Sequence, residues 1–104
     1  IPQQQLRAVG ALQYDPAARQ LFDGQTEIDL PRREMSVFEC LLAAEGRTVS
    51  KNAVLDHVYG VGADVEETVV EVYVSRLRSR LKQYGITIRT KRGLGYQMSA
   101  EPKA

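Results

Sequence analysis

The sequence contains little of what builds covalent cross-links, metal centres or membrane spans. Cys40 is the only cysteine, so no internal disulfide can form, and a reducing compartment, the cytoplasm, is expected. His57 is the only histidine, which leaves too few ligands for an ordinary zinc site. The apolar run at residues 38–44 is short and contains Glu39, so it cannot cross a bilayer. We therefore expect no metal, no cofactor and no membrane partner.

Catalytic motifs are missing as well. Gly93 and Gly95 follow a predicted strand but open no helix, so they do not form a loop that cradles phosphates. The acidic residues Asp64, Glu66, Glu67 and Glu71 cluster around the start of a predicted helix, and we interpret them as capping and solvating that start. An enzyme is not expected.

The composition is that of one folded domain. The 104 residues are 43% hydrophobic and 26% charged, close to the average of globular proteins, and the length suits a single core. The polar, proline-containing start at residues 1–5 predicts a linker remnant, residues 6–99 the domain, and residues 100–104 a C-terminal tail.

Charge is distributed unevenly along the chain. The net charge is only +1, but Thr68 to Arg92 holds seven basic residues against one acidic residue, which leaves +6 there and −5 elsewhere. Screening confines a charge's field to roughly 10 Å at ordinary salt, so a polyanion responds to this local excess. The segment therefore favours a nucleic-acid partner, with an ordinary solvated helix face as the alternative.

The first third of the sequence predicts a small antiparallel sheet. Residues 6–30 alternate in the manner of strands, with Leu12 and Tyr14 on one side, and turn signals interrupt them at 15–16 and 23–24. We expect three or four strands. One face of this sheet must pack on the rest of the domain, because an isolated small sheet is marginal in water.

Two helices are predicted next. Pro31 suits the first turn of the first helix, Glu34 suits the positive end of its dipole, and Gly46 closes it. Ser50 is a good N-cap for a second, short helix that Gly60 ends. The core-facing residues of the first helix recur at helical spacing: Met35, Phe38, Leu41 and Leu42.

A third helix and a hairpin complete the pattern. The helix is predicted over about 66–84, before Gly85, and its buried seam consists of Val70, Val74, Leu77 and Leu81. Two short strands then flank a basic, glycine-rich tip at residues 91–95. The order of a sheet, three helices and a hairpin predicts an α+β domain.

The face of the third helix opposite this seam is rich in cations and nearly free of acid. Arg76 and Val72 lie near its centre by their angular position. An arginine can bind guanine O6 and N7 together, and a valine can rest on a thymine methyl group. The side chains around them would hold phosphates: Tyr73, Ser75, Arg78 and Arg80. An ordinary exposed face would more often carry paired Glu and Lys.

The hairpin tip is a second candidate contact. Arg92, bounded by glycine, can enter a narrow minor groove, where the negative potential is enhanced. Thr90 and Lys91 are placed to contact the DNA backbone. A plain surface turn is the alternative, because Gly93 and Gly95 suit any tight turn.

Longer motifs match a known family. The chain resembles the C-terminal DNA-binding domains of OmpR/PhoB-type response regulators from about Val9 to Met98. The resemblance rests on six segments in a fixed order: Leu30–Glu34, Phe38–Leu42, Gly46–Lys51, Val58–Gly60, Val70–Arg78 and Ile88–Tyr96. Pro31 stands where many relatives have an N-capping threonine, and Ser75 where relatives often carry a basic residue.

The resemblance implies a fold and a set of contacts. The fold is a winged helix-turn-helix with an N-terminal four-stranded antiparallel sheet, a three-helix core and a C-terminal β-hairpin wing. Val69, Val72 and Arg76 match positions that face bases, and Arg92 matches the minor-groove arginine of the wing. Positions that touch the DNA backbone are matched by Thr68, Tyr73, Ser75, Arg78 and Thr90. The loop implied to contact RNA polymerase consists of Gly60, Val61, Gly62, Ala63 and Asp64.

The same resemblance implies the partners of the whole regulator. A receiver domain would precede this chain, a sensor kinase would phosphorylate it, and two copies would bind direct repeats in promoter DNA. The isolated domain would be mostly monomeric. Two alternatives remain open at this point: the winged helix of a one-component or membrane-anchored regulator of the CadC and ToxR type, and a winged helix that binds protein instead of DNA.

Overall fold

A four-stranded antiparallel sheet opens the domain. The computed structural model describes residues 6–62 and 64–100, so the predicted linker and most of the predicted tail lie outside the described residues. The strands follow one another in space as they do in sequence. They are β1 (Arg7–Val9), β2 (Leu12–Asp15), β3 (Gln20–Asp23) and β4 (Thr26–Ile28). The predicted four-stranded meander is confirmed.

One face of this sheet packs on the helices. Its buried side chains are those of Val9, Leu12, Tyr14 and Leu21. The ring of Tyr14 meets the ring of Phe38 edge-on, with 5.8 Å between centroids. The amide of Ala11 donates to the carbonyl of Tyr84 over 3.0 Å, which ties the first turn of the sheet to a segment 73 residues later. The sheet is thus a supporting layer behind the helices.

The first two helices begin and end near the predicted residues. They are α1 (Arg32–Ala43) and α2 (Lys51–Tyr59). The hydroxyl of Ser50 accepts a hydrogen bond from the amide of Ala53 at 3.1 Å, which confirms the predicted N-cap, and Gly60 ends α2. Pro31 was expected in the first turn of α1, and that is wrong: with ψ of 147° it is the extended residue just before the helix.

The third helix is shorter than the sequence predicts. It is α3 (Thr68–Leu81), and it begins two residues after the predicted start at Glu66. Beyond Leu81 the backbone tightens into a 3-10 turn, Lys82–Tyr84, instead of continuing as α-helix. The predicted seam is confirmed, because Val70, Val74, Leu77 and Leu81 are all buried.

The C-terminal hairpin is attached to the helical part of the domain by the backbone of Val49. Its strands are β5 (Ile86–Lys91) and β6 (Gly95–Ala100), and they pair antiparallel from Ile86 opposite Ala100 to Lys91 opposite Gly95. β6 therefore extends one residue beyond the predicted domain boundary at 99. Val49, between α1 and α2, exchanges two hydrogen bonds with Tyr96 at 2.7 and 2.8 Å. The wing is thereby fixed relative to α2 and α3.

Candidate nucleic-acid interface

The exposed face of α3 is the face that the sequence singled out. Thr68, Val72, Ser75 and Arg76 are exposed, on the side opposite the buried seam. Val72 is 47% exposed although it is a large aliphatic residue. Neither Val72 nor Arg76 packs into the domain, so both side chains are available to a partner. Exposed aliphatic groups beside arginines are what the major groove of DNA accommodates.

Val69 and Tyr73, two of the predicted contact residues on α3, are among those that are only half exposed. Val69, predicted to face bases, packs partly against the core. Tyr73, predicted to touch the DNA backbone, shares a hydrogen bond with the hydroxyl of Tyr59, the two oxygens lying 2.9 Å apart. Their positions on the rim of the exposed face leave part of each side chain accessible.

Arg78 joins α3 to the wing. Its Nε donates to the carbonyl of Ile88 and its Nη2 donates to Oγ1 of Thr90, both at 2.9 Å. The sequence predicted Arg78 and Thr90 as separate contacts to the DNA backbone and did not predict that they bind each other. This link fixes the angle between the helix and the hairpin.

Arg80 is held by a buried carboxylate. Its Nε donates to Oε1 of Glu34 over 2.8 Å, and the side chain of Glu34 is only 2% exposed, whereas that of Arg80 is 48% exposed. Glu34 lies in the first turn of α1, as expected, but no local pattern indicated its burial. An ionised carboxylate needs such a partner, because burial without one is costly.

The wing tip is accessible. Thr90 and Arg92 are exposed, Lys91 is half-buried, and Leu94 beside them is 68% exposed. An open groove of about 510 Å³ separates the tip from the start of α2 and the start of α3. Lys51 and Glu71 both line this groove, and Nζ of Lys51 lies 3.5 Å from a carboxylate oxygen of Glu71. The one acidic residue of the basic segment is thus paired with a cation from outside it.

The loop between α2 and α3 projects into solvent. Gly60, Gly62 and Asp64 are exposed, and Val61 is 90% exposed. Ala63, also part of the predicted polymerase-contact loop, lies outside the described residues.

A cation outside the basic segment lies on the flank of α3. Arg33 of α1 stacks on the ring of Tyr59, with its guanidinium carbon 4.6 Å from the ring centroid. The hydrogen bond shared with Tyr59, together with the guanidinium groups of Arg33 and Arg76, lowers the pKa of Tyr73. This cluster could not be predicted from the sequence, since residues 26 positions apart, Arg33 and Tyr59, share no periodic signal.

A second polar cluster fastens the sheet to α1. The hydroxyl of Tyr14 donates to Glu39, and Arg19 grips the same carboxylate with its Nη2 at 2.6 Å and its Nε at 2.9 Å. Burial alone would raise the pKa of Glu39, but the hydrogen bonds from Arg19 and Tyr14 outweigh it and lower that pKa. Burial and the bond to Glu39 raise the pKa of Tyr14 to about 12. This cluster is structural and lies away from the exposed face of α3.

Residues 6–62 and 64–100 were also compared with the requirements of metal sites and membrane spans. No group of three or more His, Cys, Asp or Glu side chains there could hold a metal ion. No helix in these two ranges combines the length and hydrophobicity needed to cross a bilayer. Cys40 is half-buried, and burial raises the pKa of its thiol, which makes it a poor nucleophile.

The sheet, the three helices and the pinned hairpin, with the cationic face of α3 beside the hairpin tip, define a winged helix-turn-helix domain. The sequence profile described as "Transcriptional regulatory protein, C terminal" matches residues 25–98, well over half of the chain. The chain belongs to this family, the C-terminal domains of OmpR/PhoB-type response regulators.

Curated relatives agree with this assignment. The response regulator ArlR of Staphylococcus haemolyticus is 33% identical over 97 residues, which cover 91% of this chain and 44% of ArlR. The response regulator protein PmrA of Pseudomonas aeruginosa is 37% identical over 87 residues, which cover 84% of this chain and 38% of PmrA. The chain thus spans less than half the length of each of these two relatives.

Solved structures share the fold. The DNA-binding domain of RstA from Klebsiella pneumoniae, solved in complex with the RstA box, superposes with a TM-score of 0.76 at 28% identity, covering 91% of this chain and 97% of that one. The DNA-binding domain of CadC from Escherichia coli gives a TM-score of 0.76 at 23% identity, covering 97% of this chain and 96% of that one. At that identity the second likeness concerns the fold alone.

Proposed function

We propose that this chain binds double-stranded DNA sequence-specifically and controls transcription as the effector domain of a two-component response regulator. The observation that carries the proposal is the orientation of α3: its apolar seam is buried, and Arg76 and Val72 point outward. The domain has no catalytic role in this proposal, and it acts in the cytoplasm, where promoter DNA is located.

Each exposed group has a part in the complex. α3 enters the major groove, where Arg76 binds a guanine edge and Val72 and Val69 contact apolar parts of bases. Arg92 enters the adjacent minor groove. The backbone phosphates are held by Thr68, Tyr73, Ser75, Arg78, Arg80, Thr90 and Lys91. Arg80 keeps its bond to Glu34, and since its side chain is 48% exposed, the rest of its guanidinium can face a phosphate.

The bond from Arg78 to the wing supports simultaneous reading of both grooves. Arg78 is bonded to both Ile88 and Thr90, which holds β5 against α3. Less conformational entropy is then lost in aligning the backbones that carry Arg76 and Arg92 on binding.

The proposal extends to the partners of the whole regulator. A receiver domain phosphorylated by a sensor kinase dimerises, which raises the effective concentration of the second winged helix at a tandem half-site. The isolated domain is mostly monomeric and binds more weakly. The loop of Gly60 to Asp64, with Val61 90% exposed, contacts RNA polymerase.

Selection of bound duplexes from a random DNA pool tests the proposal, followed by affinity measurements on the selected sequence. Arg76→Ala should cost about 1–3 kcal/mol of binding free energy and relax the preference at one base pair. Arg78→Ala should weaken binding to all sequences alike. Gln83→Ala, an exposed and uncharged change in the 3-10 turn just beyond α3, serves as the control.

Three results would count against the proposal. They are a selection that enriches no sequence, an Arg76→Ala variant with its preference intact, and identical effects of Arg76→Ala and Arg78→Ala on selected and random DNA. If neutral replacements on α3 were all tolerated, a winged helix that binds protein would explain the fold instead.

A further inference from the structure

Arg33 is a well-placed cation that has no ion-pair partner among the described residues. It is exposed in the first turn of α1, and no carboxylate in the described part of the chain pairs with it, in contrast to Arg19 and Arg80. Its guanidinium is stacked on Tyr59 instead, at 4.6 Å from the ring centroid. Stacking holds the plane of the guanidinium, and because the side chain is exposed, its edge is accessible to an anion.

Three helices meet at this cluster. Arg33 comes from α1, Tyr59 from the end of α2, and Tyr73 from the rim of the exposed face of α3. The hydroxyls of the two tyrosines lie 2.9 Å apart, so one of them donates to the other and the second keeps its proton for another acceptor. The cluster therefore offers a guanidinium edge and one free hydroxyl donor together.

An open depression adjoins the cluster. It has a volume of about 540 Å³ and is lined by Pro31, Arg32, Arg33, Ser36, Val58 and Tyr73. Among the described residues, this lining includes two arginines and no acidic side chain. The positive potential reaches Tyr73, whose pKa is lowered by the hydrogen bond it shares with Tyr59 and by the charges of Arg33 and Arg76. A small, strongly anionic group is the ligand that such surroundings favour.

We propose that Arg33, with the hydroxyls of Tyr59 and Tyr73, binds a backbone phosphate of DNA on the flank of the major groove that α3 enters. α1 then anchors the duplex, in addition to α3 and the wing. This inference rests on the proposed function, because it requires α3 to lie in the groove. The shared residue is Tyr73, which borders both the exposed face of α3 and the depression.

The test is the salt dependence of binding, measured on the selected duplex and on a random duplex. Each phosphate contact adds about 0.9 to the log–log slope. Arg33→Ala should lower the affinity for both duplexes about threefold to tenfold and reduce the slope by about 0.9. Arg33→Lys, which keeps the charge without the planar fork, should retain most of the slope and recover part of the affinity.

Arg7→Ala is the matched control. It removes one positive charge, as Arg33→Ala does, but from β1. Arg7 lies beside Glu45, just beyond the C-terminal end of α1, whereas Arg33 lies in its first turn, so Arg7→Ala should leave the slope unchanged. Tyr59→Phe and Tyr73→Phe keep the rings and remove one hydroxyl each, and each should weaken binding to both duplexes without changing sequence preference. Thermal unfolding of every variant separates loss of contact from loss of folded protein.

The outcomes distinguish this inference from the proposed function. If the wild type binds its selected duplex and Arg33→Ala binds with the same slope, the phosphate site is wrong and the proposed function stands. The phosphate site is equally wrong if Arg33→Ala binds DNA more weakly only because a smaller fraction of the protein is folded. It is also wrong if Arg33→Ala binds both duplexes as the wild type does and loses only the binding of a protein partner. A wild type that binds no duplex overturns both proposals.

Discussion

Glu34 illustrates how one buried side chain is tied to the candidate interface. Its carboxylate, 2% exposed, lies beneath α3 and accepts a hydrogen bond from Arg80 at 2.8 Å. An ionised carboxylate in such a place is stable only when paired. Arg80 therefore has two roles. Its guanidinium neutralises Glu34 on one side, and it is open to solvent, and so to a phosphate, on the other.

Arg80→Ala tests this pairing. Breaking a buried ion pair by removing one partner costs about 3–5 kcal/mol. Because the side chain of Arg80 is 48% exposed, we expect a smaller loss of unfolding free energy, about 1–3 kcal/mol. Arg76→Ala, on the exposed face of the same helix, is the control and should be near neutral in denaturant unfolding. Equal stability of the two variants would contradict the pairing.

Glu39 predicts how stability responds to acid. Its pKa in the folded state is lowered below the ordinary value of 4.5, so folding is favoured by its ionised form. The contribution is complete above pH 4.5 and is lost as the pH falls through the lowered folded value. Glu39→Gln should reduce the unfolding free energy at pH 7 by about 1–3 kcal/mol and flatten its decline in acid.

Denaturant unfolding of both proteins between pH 7 and pH 3 measures this effect. Glu45→Gln is a suitable control, because Glu45 is exposed and its closest cation, Arg7, is 3.8 Å away. If wild type and Glu39→Gln lose stability in parallel as the pH falls, the cluster of Tyr14, Arg19 and Glu39 does not control the acid response.

Side-chain partners far apart in sequence mark the limit of what the sequence predicts at this scale. The helical spacing of apolar residues correctly predicts which side chains are buried, as the four residues of the α3 seam show. The bond between Arg80 and Glu34 spans 46 positions, and nothing in either local pattern indicates the other residue. The same holds for Arg33 and Tyr59. Such pairs depend on how the helices cross, which periodicity alone does not specify.

The wing is the element whose position matters most to the candidate interface. It is held on one side by the two hydrogen bonds between Val49 and Tyr96 and on the other by Arg78. Gly95, at the start of β6, allows the backbone of Val49 to approach closely enough for its hydrogen bonds with Tyr96. Its φ is +142°, and a Cβ built there would lie 1.9 Å from the carbonyl oxygen of Val49.

Gly95→Ala should therefore detach the wing. The clash is with backbone, which cannot turn away as a side chain can, and the positive φ adds strain, so we expect a loss of about 2–5 kcal/mol in unfolding free energy. Gly93→Ala is the control: its φ is also positive, at +75°, but a Cβ there meets nothing within 4 Å. It should cost about 1 kcal/mol.

Denaturant unfolding of the two glycine variants side by side gives the answer. Similar losses of unfolding free energy for Gly93→Ala and Gly95→Ala would mean that position 95 requires glycine because of its positive φ, and not because Val49 lies so close. Loss of DNA binding by Gly95→Ala, at a temperature where it is still folded, would further locate the defect in the position of the wing.

Element boundaries were predicted well where a local signal exists. The cap at Ser50 and the end of α2 at Gly60 are examples, because each has its own short-range chemistry. The ends of α3 were less well predicted. The apolar spacing continues to Leu81 and gives no sign of the 3-10 turn after it, in which the carbonyl of Tyr84 accepts a hydrogen bond from the distant amide of Ala11. Helix ends often tighten in this way, and periodicity does not specify where.

At the scale of the whole molecule, charge is segregated by segment. The segment Thr68 to Arg92 carries +6, and in the fold it forms α3, the 3-10 turn and the first strand of the wing. Its only acidic residue, Glu71, is paired with Lys51. The remaining chain carries −5. A molecule with net charge +1 can therefore present one strongly cationic surface to a polyanion while staying nearly neutral overall.

The salt dependence of binding tests this charge segregation most directly. If each domain contacts about five phosphates, the logarithm of the association constant should fall with the logarithm of salt concentration at a slope of about −4 to −5. Titration of the isolated domain on its selected duplex, from low to moderate salt, measures that slope. A flat response would show that the cationic face of α3 and the wing does not meet DNA, and it would contradict the proposed interface.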